Sequence, residues 1–341
     1  MENYNIPVIM NREKWLDIAK GIGIIAVVVG HSGYREAGLL YWFHMPLFFV
    51  ISGFLFKPCF DWKSLLSWVN RRAQQFLIPY VSFLGIIVVA EFYVNNRYVN
   101  LYEISKAFFF NLFPGGRFIG GFYTPFWFIT CLFITQVVFA IILMLFKSTT
   151  VQLLIIGIAY LGAHFESEIL KTHQIIIPWD IDVTLLTLAY YSIGYYCKKA
   201  LGKLSPFIAL VSVSLSIMLI ILGRAGLINY SINVKYLTCD HIVLDLIIPI
   251  VITVAIFAVC QQFSRVNILK YIGALGNYSL PIMYLHLPFN IIAHQYFNNG
   301  PVLFLMIGLF IPFILSYFAL ERFRITQLCL LGVSRLSPPH A

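Results

Sequence analysis

Residues 15–34 read WLDIAKGIGIIAVVVGHSGY, and residues 39–56 read LLYWFHMPLFFVISGFLF. Each stretch is long enough to cross the hydrocarbon core of a bilayer, which takes about 20 apolar residues as a helix. Four ionisable side chains interrupt the two stretches: Asp17, Lys20, His31 and His44. Such a side chain costs roughly 2.5–3.5 kcal/mol at the centre of a membrane helix, so it usually faces a protein interior or an aqueous path. The start of the chain therefore predicts chemistry inside a membrane.

Apolar runs of the same kind recur along all 341 residues, of which 60% are hydrophobic and 11% are charged. A soluble domain has about 25% charged residues. The runs are continuously apolar and show no alternation of period two, which favours helices over a membrane β-barrel. We therefore predict an all-α polytopic membrane protein with about ten transmembrane helices. The predicted spans lie near 15–34, 39–56, 76–95, 126–146, 151–165, 182–197, 205–223, 243–262, 275–297 and 302–320.

The 23 lysines and arginines lie mainly in alternate gaps between these runs. The positive-inside rule then places the N- and C-termini in the cytoplasm. The net charge of +9 is explained by this topology, so no nucleic acid is expected as a partner. We predict a cytoplasmic N-terminal segment (1–14) without a cleavable signal, one integral membrane domain (15–321) and a short basic cytoplasmic tail (322–341). The oligomeric state is left open.

Two connections between spans carry distinct patterns. Residues 57–75 have apolar residues at helical spacing and predict an amphipathic helix at the inner membrane surface. Its Arg71 and Arg72 either follow the positive-inside rule or hold an anionic group by bidentate contacts. The outer connection 96–125 is rich in glycine and aromatic residues. It is either a re-entrant or substrate-covering loop, or an interfacial loop.

Two further features are read as having no chemical role. The acidic residues Glu166, Glu168, Asp180 and Asp182 predict a solvated outer surface. The six cysteines show no CxxC spacing, so neither a disulfide framework nor a zinc site is expected.

Lys20 and His31 are eleven positions apart, which is 20° past three full turns of a helix. Both therefore lie on one helix face, about 16 Å apart along the axis. Asp17 is one turn from Lys20, at the spacing of an ion pair. His44 is expected at the depth of His31, since a short loop joins the two spans. Each histidine is either a general base or a buried residue bonded to a backbone carbonyl.

Three further predictions concern a possible metal ion and two other spans. A metal at His31 and His44 is not expected, because no third ligand lies nearby in sequence. Trp127, at the start of a span, is either part of an aromatic belt or a substrate contact. In the ninth span, polar residues surround two prolines that bend the helix, a pattern typical of a cavity wall. These residues are Asn277, Ser279, Tyr284 and His286. His286 is expected either to make a hydrogen bond between packed helices or to belong to the same cavity.

Five segments together resemble the acyltransferase-3 family of integral membrane O-acyltransferases, in particular its fucose 4-O-acetylase-like branch. They are WLDIAKGIGIIAVVVGHS, FHMPLFFVISGFLF, RRAQQFLIPY at 71–80, FWFIT at 126–130 and GNYSLPIMYLHLP at 276–288. The resemblance covers nearly the whole chain. The chain departs from the family pattern at Lys20, where the basic residue before the histidine is usually arginine. The soluble esterase-like domain that some members append is not expected, so the membrane domain would have to complete any acceptor chemistry.

The resemblance implies transfer of an acyl group, usually acetyl from acetyl-CoA, to a hydroxyl of a surface glycan or its lipid-linked precursor. The expected localisation is then the inner membrane of a bacterium. Acetyl-CoA would bind at the basic inner face, and His31 would act as base or as nucleophile, with His44 and Asp17 in support. The acyl-CoA contacts would be Lys20, Arg71 and Arg72, and the acceptor contacts Trp127, Ser279, Tyr284 and His286.

Two other functions fit part of the pattern. A sugar or lipid-intermediate exporter would use His31 and the Asp17–Lys20 pair as a proton relay. Such transporters often contain internal repeats, and none is seen here. A glycan polymerase would need larger outer loops than this chain has. The acceptor, the acyl chain length and the choice between direct transfer and an acyl-enzyme are left open.

Overall fold

The computed structural model describes residues 13–95, 100–170, 177–297 and 300–332, and most of them are helical. The α-helices are α1 (Lys14–Gly30), α2 (His44–Leu55), α3 (Trp62–Val94), α4 (Leu101–Leu112), α5 (Trp127–Leu145), α6 (Thr149–Leu170), α7 (Val183–Tyr196), α8 (Lys198–Leu201), α9 (Pro206–Arg224), α10 (Leu244–Phe263), α11 (Asn267–Asn277), α12 (Ser279–His294), α13 (Pro301–Leu315) and α14 (Arg324–Leu331). Short 3₁₀ segments occur at Ala37–Trp42, Gly116–Phe118, Gly121–Phe126 and Pro178–Asp180, and a π-helical turn at Ser316–Leu320 continues α13.

A small antiparallel hairpin lies between α9 and α10. Its strands are β1 (Ile232–Asn233) and β2 (Thr238–Cys239), with Ile232 opposite Cys239. The four residues of the turn include Lys235, and Leu237 closes the turn with a left-handed φ of +50°. The hairpin is the only β-structure in the described ranges, and the predicted all-α membrane class is confirmed.

Glycines allow the central helices to pack backbone against backbone. A β-carbon at Gly276 would lie 1.9 Å from the carbonyl oxygen of Asp17, so α11 and α1 touch there. A β-carbon at Gly53 would likewise lie 1.9 Å from the carbonyl oxygen of Tyr191, where α2 meets α7. Small residues at helix contacts are the usual device for close packing in membranes, where lipid competes with side chains for apolar surface.

Seven described helical stretches are long and apolar enough to cross a membrane: Ala37–Leu55, Trp62–Val94, Gly121–Leu145, Thr149–Leu170, Pro206–Arg224, Leu244–Phe263 and Pro301–Leu320. The other three predicted spans contain α1, α7 and α12, which have 17, 14 and 16 residues. Ten residues of α7 are buried, against two of the 19 in α9. The short helices thus lie inside the bundle, where the bilayer does not set their length. The total of ten spans and the side of the termini stay predictions.

The predicted amphipathic helix at 57–75 is not a separate element. It forms the first part of α3, which runs without interruption from Trp62 to Val94. The Asp61 side chain starts α3 by accepting a hydrogen bond from the Ser64 amide at 2.8 Å. The helix continues through Pro79, although proline removes one ladder hydrogen bond.

The acidic residues at the end of α6 and before α7 are only partly the solvated surface that the sequence predicts. Glu168 is exposed, but Asp180 and Asp182 are buried. Arg117 Nε donates to Asp180 Oδ1 at 3.1 Å, and Arg117 Nη2 pairs with Asp182 Oδ2. Buried carboxylates need such a countercharge. The prediction was wrong here because Arg117 is 63 residues from Asp180 along the chain, so no local pattern shows the pair.

The same ion pair fixes the loop between α4 and α5. Gly116 has a φ of +57°, and a β-carbon there would lie 2.5 Å from Asp180 Oδ1. The Trp179 indole donates to the Leu112 carbonyl at 2.9 Å. Residues 113–126 are therefore held against the bundle rather than lying free at an interface, which favours the covering-loop interpretation of the sequence.

The predicted terminal segments lie mostly outside the described residues, which exclude 1–12 and 333–341. The described part of the tail forms α14. This helix packs on α3, since a β-carbon at Gly332 would lie 2.3 Å from the Gln75 carbonyl oxygen.

Candidate functional site

A cavity of about 490 Å³ lies at the centre of the bundle, within the size range of about 300–1,000 Å³ that small-molecule sites usually have. Its walls come from α1, α2, α3, α5 and α12, and the β1–β2 hairpin closes one end. Both Lys20 and His31 line it. Because they are eleven residues apart on α1, the cavity extends about 16 Å along that helix.

The His31 end holds an imidazole in a defined tautomer. His31 Nδ1 donates to the Val27 carbonyl at 2.9 Å. A carbonyl oxygen can only accept, so the proton is on Nδ1 and the lone pair is on Nε2. His31 is half-buried. It can therefore take a proton from a group in the cavity, as a general base requires.

His44 lines the same cavity and has the same tautomer, since its Nδ1 donates to the Leu40 carbonyl at 2.5 Å. Tyr41 contacts both imidazoles, with ring centroids 6.4 Å from His31 and 5.0 Å from His44. Tyr41 also donates its hydroxyl hydrogen to the Gly30 carbonyl. Among described ring contacts, the two predicted histidines are linked through this tyrosine.

The imidazole that packs directly on His31 is His286, with ring centroids 5.2 Å apart. His286 is fully buried and its Nδ1 donates to the Met283 carbonyl at 2.8 Å. Its Nε2 has no hydrogen-bond partner among the described residues. Tyr284 lies on another face of α12, where its ring stacks on Phe83 at 4.6 Å. Neither residue lines the cavity.

The opposite end of the cavity is basic. Lys20 and Arg72 line it, and Arg72 donates to Gln75 Oε1 at 2.7 Å. The Lys20 ammonium lies 3.6 Å from Asp17, which is buried behind it. Arg71 does not reach this cavity. It is exposed, and lines an adjoining surface depression together with Arg72.

Trp127 and Ser279 also line the cavity. Gln136 donates to Ser52 Oγ at 2.8 Å, and both residues also line the cavity. Gln136 is buried, and its Oε1 has no partner in the described part of the chain. An unsatisfied buried amide oxygen is costly, so it marks a place where a ligand can donate a hydrogen bond.

Sequence reasoning missed Lys235, which lies at the tip of the hairpin and lines the His31 end of the cavity. Its ammonium donates to the carbonyls of Ile119 and Thr124 at 3.3 and 3.4 Å. Its exposed fraction is only 6%. Burial lowers the pKa of Lys235 to about 8, although the charge of Asp180 opposes this shift. A lysine in a predicted outer loop looks like an ordinary solvated charge, so the sequence carried no signal for it.

The structure therefore brings together six of the ten predicted site residues around one cavity: His31, His44, Lys20, Arg72, Trp127 and Ser279. Asp17 and His286 touch members of this group from behind, while Arg71 and Tyr284 lie elsewhere. The individual roles of all ten residues stay predictions.

Comparison with known proteins gives the family. Residues 13–321 match the family described as an acyltransferase domain, the acyltransferase-3 family. Two relatives are called nodulation protein NolL. The protein from Mesorhizobium japonicum is 36% identical over 92 residues, covering 23% of this chain and 24% of the relative. The protein from Sinorhizobium fredii is 38% identical over 96 residues, covering 24% and 26%.

The matched stretch thus spans about a quarter of each relative. No solved structure matches the chain. The family match, in contrast, extends from the residue before α1 to the residue after the π-helical turn that continues α13, and so includes every residue of the cavity wall except Leu331. The chain belongs to the acyltransferase-3 family.

Proposed function

We propose that this protein is a membrane O-acyltransferase that moves acetyl from acetyl-CoA to a sugar hydroxyl of a surface glycan or its lipid-linked precursor, in the inner membrane of a bacterium. One observation carries the proposal. A single cavity joins a basic end at Lys20 and Arg72 to a histidine with a free Nε2 lone pair at His31. Family membership favours acyl transfer over the exporter and polymerase alternatives.

The basic end is the proposed acyl-CoA site. Coenzyme A carries phosphates, which lysine and arginine bind through charge-assisted hydrogen bonds. Asp17 fixes the Lys20 ammonium from one turn below. Arg71 adds positive charge at the adjoining depression. The extended pantetheine arm then places the thioester near His31, since the two ends are about 16 Å apart.

The opposite end is the proposed acceptor site. Lys235 has three N–H donors, and within the described residues two of them are used by carbonyls of the loop between α4 and α5. The third donor is available to substrate. Trp127 and Tyr41 supply aromatic faces for a sugar ring. Ser279, the other proposed acceptor contact on the cavity wall, lies three residues after Gly276, which packs on Asp17, so its hydroxyl would contact the part of the acceptor nearest the donor. Tyr284 and His286 would act behind the wall by holding α12 in place.

The chemical step follows from these positions. His31 Nε2 takes the proton of the acceptor hydroxyl, and the oxygen attacks the thioester carbonyl. The carbon–sulfur bond breaks, and the His31 imidazolium returns the proton to the leaving thiolate. The Lys235 ammonium stabilises the negative charge that develops on the carbonyl oxygen, a contribution of about 2.7–4 kcal/mol for one donor in other enzymes. His44 and Tyr41 orient the imidazole, and His286 packs on it as it gains charge.

The test is transfer of labelled acetyl from acetyl-CoA in membrane vesicles that contain the full chain and its native glycan precursors. We expect label in the glycan or glycolipid fraction for wild type. The variant His31→Ala should lose about 10²–10⁴-fold, the usual contribution of a general base. His294→Ala is the matched control, because His294 is an exposed histidine on the same helix as His286.

Transfer by His31→Ala at the wild-type rate would refute the mechanism. Binding of coenzyme A to purified protein gives a second readout that needs no acceptor. The affinity for coenzyme A should fall in Lys20→Ala. A wild-type protein that does not bind coenzyme A would refute the choice of donor.

A further inference from the structure

A second group of chemically active side chains lies apart from the cavity, where the hairpin meets α6 and α10. His164 comes from α6, Cys239 from β2 and Asp245 from the first turn of α10. One ligand atom from each lies within 4.8 Å of the other two. All three residues are buried, with exposed fractions of 7%, 1% and 0%. None of them lines the cavity.

The hydrogen bonds define the state of the His164 ring. Its Nδ1 donates to the Tyr160 carbonyl at 2.9 Å, so Nδ1 carries a proton. Its Nε2 lies 3.1 Å from Asp245 Oδ2. In a neutral ring, Nε2 holds a lone pair, and a lone pair would face a carboxylate oxygen. The contact therefore requires a positive species between them, which is either a second proton or a metal cation.

Two observations favour a metal over a proton. A proton would leave Asp245 Oδ1 buried without a hydrogen bond of ordinary length among the described residues, since the Tyr230 hydroxyl interacts with Asp245 only at longer range, and a poorly satisfied buried carboxylate oxygen is costly. A cation beside the carboxylate satisfies it. In addition, the Cys239 thiol lies in the same cluster, where it donates to the carbonyls of Ala163 and Leu237 at 3.8 Å, and as a thiolate it is a strong ligand for zinc.

The surroundings match those of known metal ligands. A zinc-bound histidine usually donates its other ring N–H to a carbonyl or carboxylate, as His164 does to Tyr160. The backbone amide of His241 donates to Asp245 Oδ2 at 2.9 Å, and such bonds orient ligating carboxylates. Bond lengths of about 2.0–2.3 Å place tetrahedral ligand atoms roughly 3.4–3.8 Å apart. His164 Nε2 and Asp245 Oδ2 are already 3.1 Å apart. The main adjustment is therefore an approach of Cys239 Sγ, which lies within 4.8 Å of the other two atoms, by about 1 Å.

We propose that His164 Nε2, Cys239 Sγ and Asp245 bind a divalent cation of the zinc class, with water as the fourth ligand. Binding replaces the thiol proton of Cys239, which is released to solvent. The proposal departs from the sequence-based expectation of no metal. That expectation rested on spacing along the chain, and His164 is 81 residues from Asp245.

The site joins three elements and therefore has a structural role. It ties β2 to α6 and α10, only four residues from Lys235 at the hairpin tip. The metal would thus fix the hairpin that closes the cavity. The metal site itself does not depend on the proposed acyltransferase activity, so failure of one leaves the other standing.

The test is metal analysis of the full chain purified in detergent without chelators. We expect about one zinc per chain by inductively coupled plasma mass spectrometry. Cys239→Ser and Asp245→Asn should lower the zinc content at least about tenfold. Cys260→Ser is the matched control, because Cys260 is also fully buried but lies further along α10, and it should keep the metal. Size-exclusion profiles report whether each variant is folded.

Cobalt provides a second measurement if a variant is poorly folded. Metal-free wild type titrated with Co²⁺ should develop thiolate-to-cobalt charge-transfer absorption, and Cys260→Ser should do the same. A wild-type protein that retains no zinc and takes up neither Zn²⁺ nor Co²⁺ would overturn the proposal and assign the cluster as a proton-bridged ion pair. Equal binding by wild type and Cys239→Ser would overturn it as well.

Discussion

Lys235 gives a pH dependence that can be worked out from its surroundings. Burial lowers the pKa of Lys235 to about 8, against about 10.4 for a solvated lysine. If only the charged form assists transfer, activity is complete well below pH 8 and falls as pH rises through that value. At pH 9, one unit above the pKa, roughly one-tenth of the lysine is still protonated. The rate should then be about tenfold below its plateau.

Two substitutions separate this charge from other ionisations. Lys235→Arg keeps a charge that is not lost below about pH 12, so the alkaline fall attributed to Lys235 should disappear. Lys235→Met removes the charge at every pH, and kcat/KM should drop by about 10²–10³ at pH 7. Lys199→Met, at an exposed lysine after α7, should behave as wild type.

The assay is the initial rate of acetyl transfer from labelled acetyl-CoA in vesicles between pH 6 and pH 10. An alkaline limb near pH 8 that persists in Lys235→Arg would refute the assignment to Lys235. So would a Lys235→Met enzyme within twofold of wild type. A merely structural role predicts that Lys235→Arg lowers the rate equally at all pH values, without moving the limb.

Three further variants test the packing and the two ends of the bundle. Gly276→Ala places a methyl group 1.9 Å from a backbone oxygen of α1, and it should cost about 1–3 kcal/mol of stability in thermal unfolding in detergent. The control Gly157→Ala, whose methyl group meets nothing within 4 Å, should leave stability unchanged. Equal stability of the two variants would contradict the close packing of α11 on α1. Arg117→Met removes the countercharge of the buried Asp180 and Asp182 carboxylates and should lower the stability by about 3–5 kcal/mol. Converting both carboxylates to amides should restore part of that stability. An Arg117→Met protein as stable as wild type would show that the carboxylates are already neutral. Arg72→Met should raise KM for acetyl-CoA by roughly tenfold or more with little change in kcat. The effect of Arg71→Met should be smaller, because only Arg72 lines the cavity. The opposite ranking would place the donor site in the surface depression.

The sequence was most informative where function depends on one helix. The face of α1 that carries Lys20 and His31 follows from helical geometry alone, and both residues line the cavity. Charged residues between the apolar runs also marked where the predicted membrane helices end, because isolated charges in lipid are costly whatever the fold.

The remaining features depend on contacts between distant segments. The packing of His286 on His31, the pairing of Arg117 with Asp180 and the position of Lys235 join residues more than 60 positions apart. No local pattern encodes them. The unbroken course of α3 was missed for a different reason: residues 57–75 were predicted as a separate amphipathic helix, and their local pattern does not show that the helix continues into the next apolar run.

The short central helices bear on how the membrane stays sealed. With 14 residues, α7 is about 21 Å long, against roughly 30 Å for a bilayer core. A helix of this length does not cover the whole hydrocarbon core, so the segments packed around α7 must complete that thickness. Apolar side chains such as Phe48, Leu132 and Met283 line the cavity among its polar groups. In a protein that spans a membrane, such side chains oppose the passage of protons and ions through the cavity, because a charge is costly beside apolar surface.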